Sequence, residues 1–314
     1  MTLDAAGLAL LELGLALRSR EYRFVTVTPE THQRVLERDP RTARDLRDAF
    51  GWSRPFAPGL LPDGLLQLAR DAGWIRNERG LLRSNVRFSS LGRHLYAHSA
   101  FPTLSTDAVF FGPDTYRFSA LVQRSLRRCR CLVDIGCGSG AGGIGAAAFA
   151  ERLVLADISP RALRFAAVNA MLAGVTAEIV ESDVLAAVSG SVDLVIANPP
   201  YLREPAPRLY RDGGGRYGEA LSLRLLRESL ARVAPGGRIV LYTGTAIVDG
   251  CDGFRELAEP LCRAAGASFD YAELDPDVFG NELSEPPYAD VERLAAVGLV
   301  IDVPERPQPS VLPP

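Results

Sequence analysis

The sequence predicts an α/β fold in which a mostly parallel sheet follows a smaller helical domain. From Leu132 onward, short runs rich in leucine or β-branched residues alternate with helical stretches, which is typical of βα repeats around a parallel sheet. The 314 residues exceed the usual size of one domain and suit two. A hydrophobic fraction of 47% is enough to fill a sizeable core.

Residues 1–105 are predicted to form the smaller domain, a helical or winged-helix-like unit for substrate recognition. Prolines and acidic residues mark helix starts and stops here, and the helices are predicted over 5–17, 29–39, 42–50 and 62–72. Apolar and polar residues then alternate from 82 to 88 after a turn at 77–80, which predicts a strand in a hairpin. Winged helices bind nucleic acids, dock proteins or only pack, so this fold leaves the partner open.

Residues 106–303 are predicted to form the larger domain around the sheet. Its strands are expected near 131–135, 152–156, 176–180, 192–197 and 238–243, with helices between them. The tail from 304 to 314 contains several prolines and few apolar residues, which predicts a mobile segment.

All 35 basic residues are arginine, and the absence of lysine excludes two classes of enzyme. These are enzymes with a Schiff-base lysine and enzymes whose phosphate-binding loop ends in Gly-Lys-Ser/Thr. The net charge of −3 hides a small excess of arginine over acidic residues in 1–105. That region is the better candidate for contact with an anionic partner such as nucleic acid, and the alternative is ordinary surface variation.

The cysteines and histidines indicate neither a disulfide framework nor a metal site. The five cysteines are odd in number, contain no Cys-x-x-Cys pair and lie far from the three histidines in sequence. The apolar stretch near the start is interrupted by Glu12 and follows no basic region, which indicates an amphipathic helix rather than a signal peptide. Because no apolar run approaches the length of a membrane span, we expect a cytoplasmic protein with no membrane partner.

A strand followed by a glycine-rich turn predicts a cofactor site. Asp134 lies at the end of the strand, and Gly136, Gly138 and Gly140 follow where the chain turns into a helix. Glycine lets the backbone approach a ligand closely because it has no Cβ atom. The same spacing also fits a dinucleotide-binding loop, so the loop alone does not decide between cofactors.

Two further acidic residues end the next two predicted strands. Asp157, followed by Ile158, is placed to accept both hydroxyls of a ribose. Asp183, followed by Val184, is placed to accept a hydrogen bond from an adenine amino group. Acids at three successive strand ends favour S-adenosyl-L-methionine, which becomes S-adenosyl-L-homocysteine, over a nicotinamide. The alternative for Asp157 and Asp183 is capping of the helices that follow.

The motif Asn198-Pro199-Pro200-Tyr201 follows the fourth predicted strand, at the sheet edge where ligands bind. A planar NH2 group is a poor nucleophile because its lone pair is delocalised. The Asn198 side-chain carbonyl and the Pro199 backbone carbonyl are placed to accept its two N–H bonds, while Tyr201 covers its flat face. Asn198 is also predicted to contact the cofactor. The alternative is a simple Pro-Pro turn beside a core tyrosine.

With the glycine loop, this motif resembles class I methyltransferases that modify amide or exocyclic nitrogens. Residues 101–245 are more narrowly similar to the HemK/PrmC family, which methylates the glutamine amide of translation release factors, and to its ribosomal-protein relatives. The similar segments follow in family order and are Pro113-Asp114-Thr115, 157–160, Asn169-Ala170, Glu204-Pro205, 213–215, Gly218 and Pro235-Gly236-Gly237. The resemblance implies a Rossmann-like, seven-stranded and mostly parallel sheet, S-adenosylmethionine as cofactor and a protein substrate.

The sequence departs from the family pattern at Gly112, Tyr116 and Tyr217, which leaves the methyl acceptor open. A glutamine of a release factor or ribosomal protein is the first hypothesis. The second is an RNA or DNA base, because four arginines crowd the loop after the motif, namely Arg203, Arg208, Arg211 and Arg216. A small-molecule acceptor and a non-catalytic sensor of the cofactor are further alternatives.

An acidic segment lies between the late strands, at residues 275–285. We interpret it as a solvated loop. The alternative is that it shapes a substrate entrance.

Overall fold

The computed structural model describes residues 2–204 and 208–305. Helices and two small hairpins occupy the chain up to residue 99, and the following residues build one large sheet with helices on its faces. The part of the proline-rich tail from 306 to 314, for which mobility was predicted, lies outside the described residues. Within the described ranges, no helix combines the length and the apolar character needed to cross a lipid bilayer.

The N-terminal helices begin at polar caps. Asp4 accepts a hydrogen bond from the Gly7 amide before the first helix, and Thr28 caps the second, which starts with a proline. The third helix is shorter than the predicted 42–50, because the Asp45 side chain caps it by accepting from the Asp48 amide. These helices are α1 (Ala5–Arg18), α2 (Pro29–Arg38), α3 (Leu46–Phe50) and α4 (Asp63–Asp71).

Two hairpins follow the helices. They are formed by β1 (Ile75–Glu78) with β2 (Leu81–Ser84), and by β3 (Val86–Leu91) with β4 (His94–Ser99). The prediction of one strand over 82–88 is wrong, because Asn85 interrupts it and donates its backbone N–H to the Trp74 carbonyl. Arg87 is buried rather than exposed, since its guanidinium donates to the Thr26 hydroxyl. The winged-helix assignment of 1–105 stays a prediction.

The large sheet confirms the predicted α/β class, with seven strands in its main order. The strands are β5 (Cys129–Ile135), β6 (Ala150–Asp157), β7 (Glu178–Glu181), β8 (Val192–Ala197), β9 (Val233–Val248), the two-residue β10 (Cys251–Asp252), β11 (Asp270–Asp275) and β12 (Arg293–Asp302). Their order across the sheet is β11-β12-β9-β8-β5-β6-β7, and β10 pairs with β9. The last five run parallel to one another, and β12 is antiparallel to both of its neighbours, β9 and β11.

Helices cover both faces of this sheet. They are α5 (Pro113–Ser125), α6 (Ala141–Ala146), α7 (Pro160–Ala173), α8 (Ala220–Arg232) and α9 (Gly253–Ala264). Successive strand residues point to opposite faces. Leu132 therefore packs in the apolar cluster with α5 and α6, and its neighbour Val133 packs in the cluster with α8 and α9. The continuous apolar runs of the strands follow from this burial on both faces.

The N-terminal elements pack against α7. Leu10 and Leu13 of α1 share an apolar cluster with Phe165 and Leu172 of α7. The N-terminal region is therefore fixed against the helix that follows β6. The division of the chain at residue 105 stays a proposal.

Candidate active site

A cavity of about 420 Å³ opens at the carboxyl ends of β5, β6 and β8, where parallel sheets bind ligands. This volume is within the range of small-molecule sites. Both the glycine loop and the motif residues 198–201 line it. The start of α2 and the segment 101–104 also line it, so N-terminal elements contribute to the site.

The glycine loop between β5 and α6 presents backbone to the cavity. Gly136 and Gly138 line it with φ angles of +63° and +54°, a region that other residues rarely adopt. A Cβ atom on Gly136 would meet no atom within 4 Å, so a ligand has room to approach. Gly140 has a different role, because at a φ of +75° it turns the chain into α6, where a Cβ would lie 3.0 Å from Ile144.

Asp134 is a buried carboxyl at the end of β5. It lines the cavity, is only 1% exposed and accepts a hydrogen bond from the Gly143 amide at 2.8 Å. Burial raises the pKa of Asp134 to about 7, and the negative charge of Asp157 adds to this rise. A positively charged ligand group beside it would favour the ionised carboxylate.

Asp157 ends β6 and supports the glycine loop. Its carboxylate accepts hydrogen bonds from the Gly138 and Ser159 amides, each at 2.9 Å, and burial raises its pKa. Ser159 is the N-cap of α7 and accepts from the Ala162 amide, so helix capping does not account for Asp157. The next residue, Ile158, is 56% exposed although it is large and apolar, and it lines the cavity with Asp157.

Asp183 and Val184 follow β7 and line the cavity. The Asp183 carboxylate forms an ion pair with Arg224 of α8 through two hydrogen bonds of 2.9 Å, and about half of each side chain is exposed. In the described chain no helix begins directly after Asp183, so capping does not account for it either. Val184 has a φ of +51°, which is rare for a β-branched residue and typical of functional sites.

The motif after β8 is held by close backbone packing. Asn198 is half-buried, Pro199 is buried, and both line the cavity. The loop that follows folds back onto them through glycine, because a Cβ atom on Gly213 would lie 2.0 Å from the Gly218 carbonyl oxygen and 2.5 Å from that of Pro200. Gly213 is therefore required for a steric reason, because any side chain there would collide with the backbone.

Tyr201 is anchored by its hydroxyl group. Its O–H donates to one carboxylate oxygen of Asp114 at 2.6 Å, and the Tyr242 O–H donates to the other at 2.8 Å. Burial, and then the charge of Asp114, raises the pKa of both phenols. The Tyr201 ring packs on Gly244, where a Cβ atom would come within 2.2 Å of it.

This anchor is not evident from the sequence. The resemblance of the Pro113-Asp114-Thr115 segment to the family is the one signal that points to Asp114. Asp114 is 87 residues from Tyr201 and 128 from Tyr242, so no local pattern joins them.

The acidic segment 275–285 borders the cavity. Phe279 and Glu282 line it, and a 3₁₀ turn runs from Gly280 to Ser284. Arg117 of α5 pairs with both Asp114 and Asp275, which ties the start of the segment to the Tyr201 anchor. Pro276, Asp277, Gly280 and Asn281 are exposed, as a solvated loop requires, and the position of Phe279 and Glu282 also agrees with the alternative of an entrance.

The four arginines after the motif are all paired with carboxylates. The pairs are Arg203–Asp212, Arg208–Glu204, Arg211–Glu204, Arg211–Glu282 and Arg216–Asp290. Glu204 is nearly buried and holds two of the guanidinium groups. Their charge is thus balanced inside the protein, which leaves little excess positive charge here for a phosphate backbone.

Asn169 of α7 connects the N-terminal hairpin to the glycine loop. Its side-chain oxygen accepts from the Ala97 amide at 2.7 Å, and its NH2 group donates to the carbonyls of Ala97 and Ser139 at 2.9 and 2.8 Å. Because Asn169 is fully buried, each of its polar atoms needs such a partner. The Asn169-Ala170 segment of the sequence therefore positions the loop that lines the cavity.

Comparison with known proteins agrees with this geometry. Residues 109–243 match the family model described as "Methyltransferase small domain". The release factor glutamine methyltransferase of Deinococcus radiodurans is 33% identical over 187 residues, which cover 54% of this chain and 63% of that protein. The ribosomal RNA small subunit methyltransferase C of Chromohalobacter salexigens is 34% identical over 110 residues, which cover 35% and 30%. The chain thus spans less than two thirds of either relative.

Among solved structures, Trm5 of Methanocaldococcus jannaschii in complex with adenosine has a TM-score of 0.50 at 15% identity, over 71% of this chain and 57% of that one. This likeness shows the fold alone. The matches together confirm the predicted fold class and the predicted resemblance to class I methyltransferases of the HemK/PrmC type.

Proposed function

We propose, from the premise that residues 109–243 form an S-adenosylmethionine-dependent methyltransferase domain, that this chain methylates the side-chain amide of a protein glutamine. The observation that carries the proposal is that the glycine loop, the three strand-end acids and Asn198 line one cavity. A release factor or a ribosomal protein is the proposed substrate. The Deinococcus relative, named for methylation of release factors, supports the first of these.

The residues around the glycine loop fit S-adenosylmethionine. Asp157 is proposed to accept the ribose hydroxyls, and Asp183 the adenine amino group, with Ile158 and Val184 against the ring. The exposed Ile158 side chain gains an apolar partner in this arrangement. The cofactor also carries an ammonium group, which would stabilise the ionised form of buried Asp134.

The motif supplies orientation for methyl transfer. When bound, the cofactor would supply a methyl group on a sulfonium. The amide nitrogen would bond to the methyl carbon as the carbon–sulfur bond breaks and would release one proton to water, and S-adenosylhomocysteine would remain. Asn198 and Pro199 are proposed to accept the two N–H bonds of the glutamine amide, so that its nitrogen faces the methyl group. Tyr201 contributes its ring, because its hydroxyl is already bonded to Asp114.

The charge around the motif favours a protein over a nucleic acid. Binding of nucleic acid depends on arginines or lysines that neutralise phosphates. The four arginines nearest the motif are instead paired with Asp212, Glu204, Glu282 and Asp290. A neutral amide side chain needs no such charge.

A nucleobase amine is the second candidate acceptor. The similarity to a ribosomal RNA methyltransferase favours it, and the same clamp fits the exocyclic amine of adenine or guanine. In that case residues 1–105, with their small excess of arginine, are the proposed contact with RNA or DNA.

The test is transfer of radiolabelled methyl from S-adenosylmethionine into a lysate of a host strain that lacks the protein. We expect label that protease releases and nuclease leaves intact. The Asn198→Ala variant serves as the matched control and should transfer almost no label. Label that nuclease removes and protease leaves would identify a nucleobase as the methyl acceptor. Label confined to small molecules would refute both candidates.

A further inference from the structure

Asp114 lies at the start of α5 and gathers hydrogen bonds from three parts of the chain. The Tyr201 hydroxyl comes from the motif after β8, and the Tyr242 hydroxyl comes from β9. Arg117, one turn further along α5, donates to the same carboxylate at 3.1 Å. Asp114 is only 5% exposed, so these donors take the place of water around it.

The arrangement decides which part of Tyr201 is available to a substrate. A phenol whose O–H donates to a buried carboxylate has no hydrogen left to donate to a second partner. The ring itself is fixed between Gly244, Tyr242 and Phe279, whose centroid lies 6.0 Å away. Tyr201 therefore acts in the cavity as a rigid aromatic surface.

Arg117 connects Asp114 to the segment 275–285. Its second nitrogen donates to Asp275, where β11 ends and the segment 275–285 begins. That segment carries Phe279 and Glu282 into the cavity wall. A change at Asp114 thus alters the positions of both the motif and this wall.

We propose that Asp114 is a positioning residue for methyl transfer, which holds the Tyr201 ring and, through Arg117, the wall of Phe279 and Glu282 around the acceptor nitrogen. The inference rests on the proposed function, because it assigns an acceptor to this side of the cavity. It adds that the geometry of the acceptor, and not the affinity for the cofactor, depends on Asp114.

The kinetic test uses Asp114→Asn, which keeps the size of the side chain but turns one acceptor oxygen into a donor. We expect kcat to fall about 100-fold, since small misplacements of reacting groups have effects of this order. The dissociation constant of S-adenosylmethionine should stay unchanged. Tyr201→Phe removes one of the three hydrogen bonds to Asp114, so its kcat should fall less than that of Asp114→Asn, and the double variant should lose no more than Asp114→Asn alone.

Tyr22→Phe is the matched control. The Tyr22 hydroxyl is buried and donates to the Phe88 carbonyl at 3.0 Å within the N-terminal cluster. This variant loses one buried tyrosine hydrogen bond away from the cavity, so its thermal stability should fall while kcat stays unchanged. The positioning role is overturned if Asp114→Asn keeps the kcat of the wild type, or if its losses add to those of Tyr201→Phe.

A second measurement needs no acceptor and separates this inference from the proposed function. In proton NMR spectra, the Tyr201 and Tyr242 hydroxyl protons should be protected from exchange, and both resonances should shift or vanish in Asp114→Asn. If the wild type methylates no protein yet these resonances respond together, the glutamine proposal fails while the hydrogen-bonded arrangement of Tyr201 and Tyr242 around Asp114 stands. If both resonances stay unchanged in Asp114→Asn, the positioning role is overturned whatever the acceptor is.

Discussion

The two halves of the cavity are built in different ways. The cofactor half, which comprises residues 134–140, 157–158 and 183–184, consists of backbone turns at successive strand ends. Its side-chain bonds join Asp157 to Gly138 across 19 residues and Asp183 to Arg224 across 41. The acceptor half comprises residues 198–201 with Asp114, Tyr242 and the segment 275–285. Its bonds span 87, 128 and 158 residues.

The two halves of the cavity therefore have separate physical origins. Strand ends and glycines place the cofactor half as soon as the parallel sheet forms. The acceptor half requires α5, β9 and the segment after β11 to pack together first. We therefore expect substitutions in one half to change cofactor affinity and substitutions in the other half to change turnover.

The largest expected effect concerns stability in the cofactor half. Because burial raises the native pKa of Asp134 to about 7, the native state holds its proton after the unfolded chain has released it. Its contribution to stability is present below about pH 4, the usual range of a free aspartate, and is lost as the pH rises to about 7. The loss amounts to about 4 kcal/mol at most, at 1.36 kcal/mol for each pKa unit.

Denaturant unfolding without cofactor at pH 4 to 8 measures this effect. Asp134→Asn should flatten the pH dependence and stabilise the protein at pH 8, whereas Asp270→Asn, at an exposed position in β11, should follow the wild type. Equal slopes for wild type and Asp134→Asn would contradict the burial of a protonated carboxyl.

Next in size is the loss of the amide acceptor in the other half. Asn198→Ala should lower kcat between about 100- and 1,000-fold, as for removal of one preorganised polar group from an active site. The dissociation constant of S-adenosylmethionine, measured by calorimetry, should change far less than kcat, because the predicted contact of Asn198 with the cofactor is one beside those of Asp134, Asp157 and Asp183. Asn77→Ala in the exposed β1–β2 hairpin is the control. If Asn198→Ala weakened cofactor binding as strongly as it lowered kcat, the division of the cavity into a cofactor half and an acceptor half would be wrong.

Gly244→Ala tests the acceptor half without changing any residue of the motif itself. Its new methyl group would lie 2.2 Å from the Tyr201 ring and must displace it, so kcat should fall about 100-fold or somewhat less. Gly64→Ala has open space around the new methyl group and should keep full activity. A Gly244→Ala enzyme with normal kcat would show that the ring position is unimportant.

The smallest effect is expected for Asp157→Asn in the cofactor half. One of the two oxygens that accept from the Gly138 and Ser159 amides becomes an NH2 donor, and the bond that remains is no longer charge-assisted, so cofactor affinity should fall about tenfold. At saturating S-adenosylmethionine, kcat should match the wild type. A drop in kcat that excess cofactor does not restore would contradict the assignment of Asp157 to the cofactor half.

The sequence predicted the sheet and the cofactor half better than the acceptor half. The strand over 192–197 and the glycine turn follow from local patterns, and the structure places both at the cavity. Local patterns failed where distant contacts decide, as at Asn85, which ends a strand to bond Trp74, and at Arg87, which is buried against Thr26. The role of Asp114 also depends on distant contacts, since its partners come from β9 and the motif.

The most direct test of the account is the identity of the methylated atom. Purified enzyme, S-adenosylmethionine with a deuterated methyl group, release factor and ribosomal RNA are combined, and tandem mass spectrometry locates the label. We expect a methyl group on the side-chain nitrogen of a glutamine, and no such product with Asn198→Ala. Label on the exocyclic amine of a nucleobase, with the release factor unmodified, would contradict the proposed function.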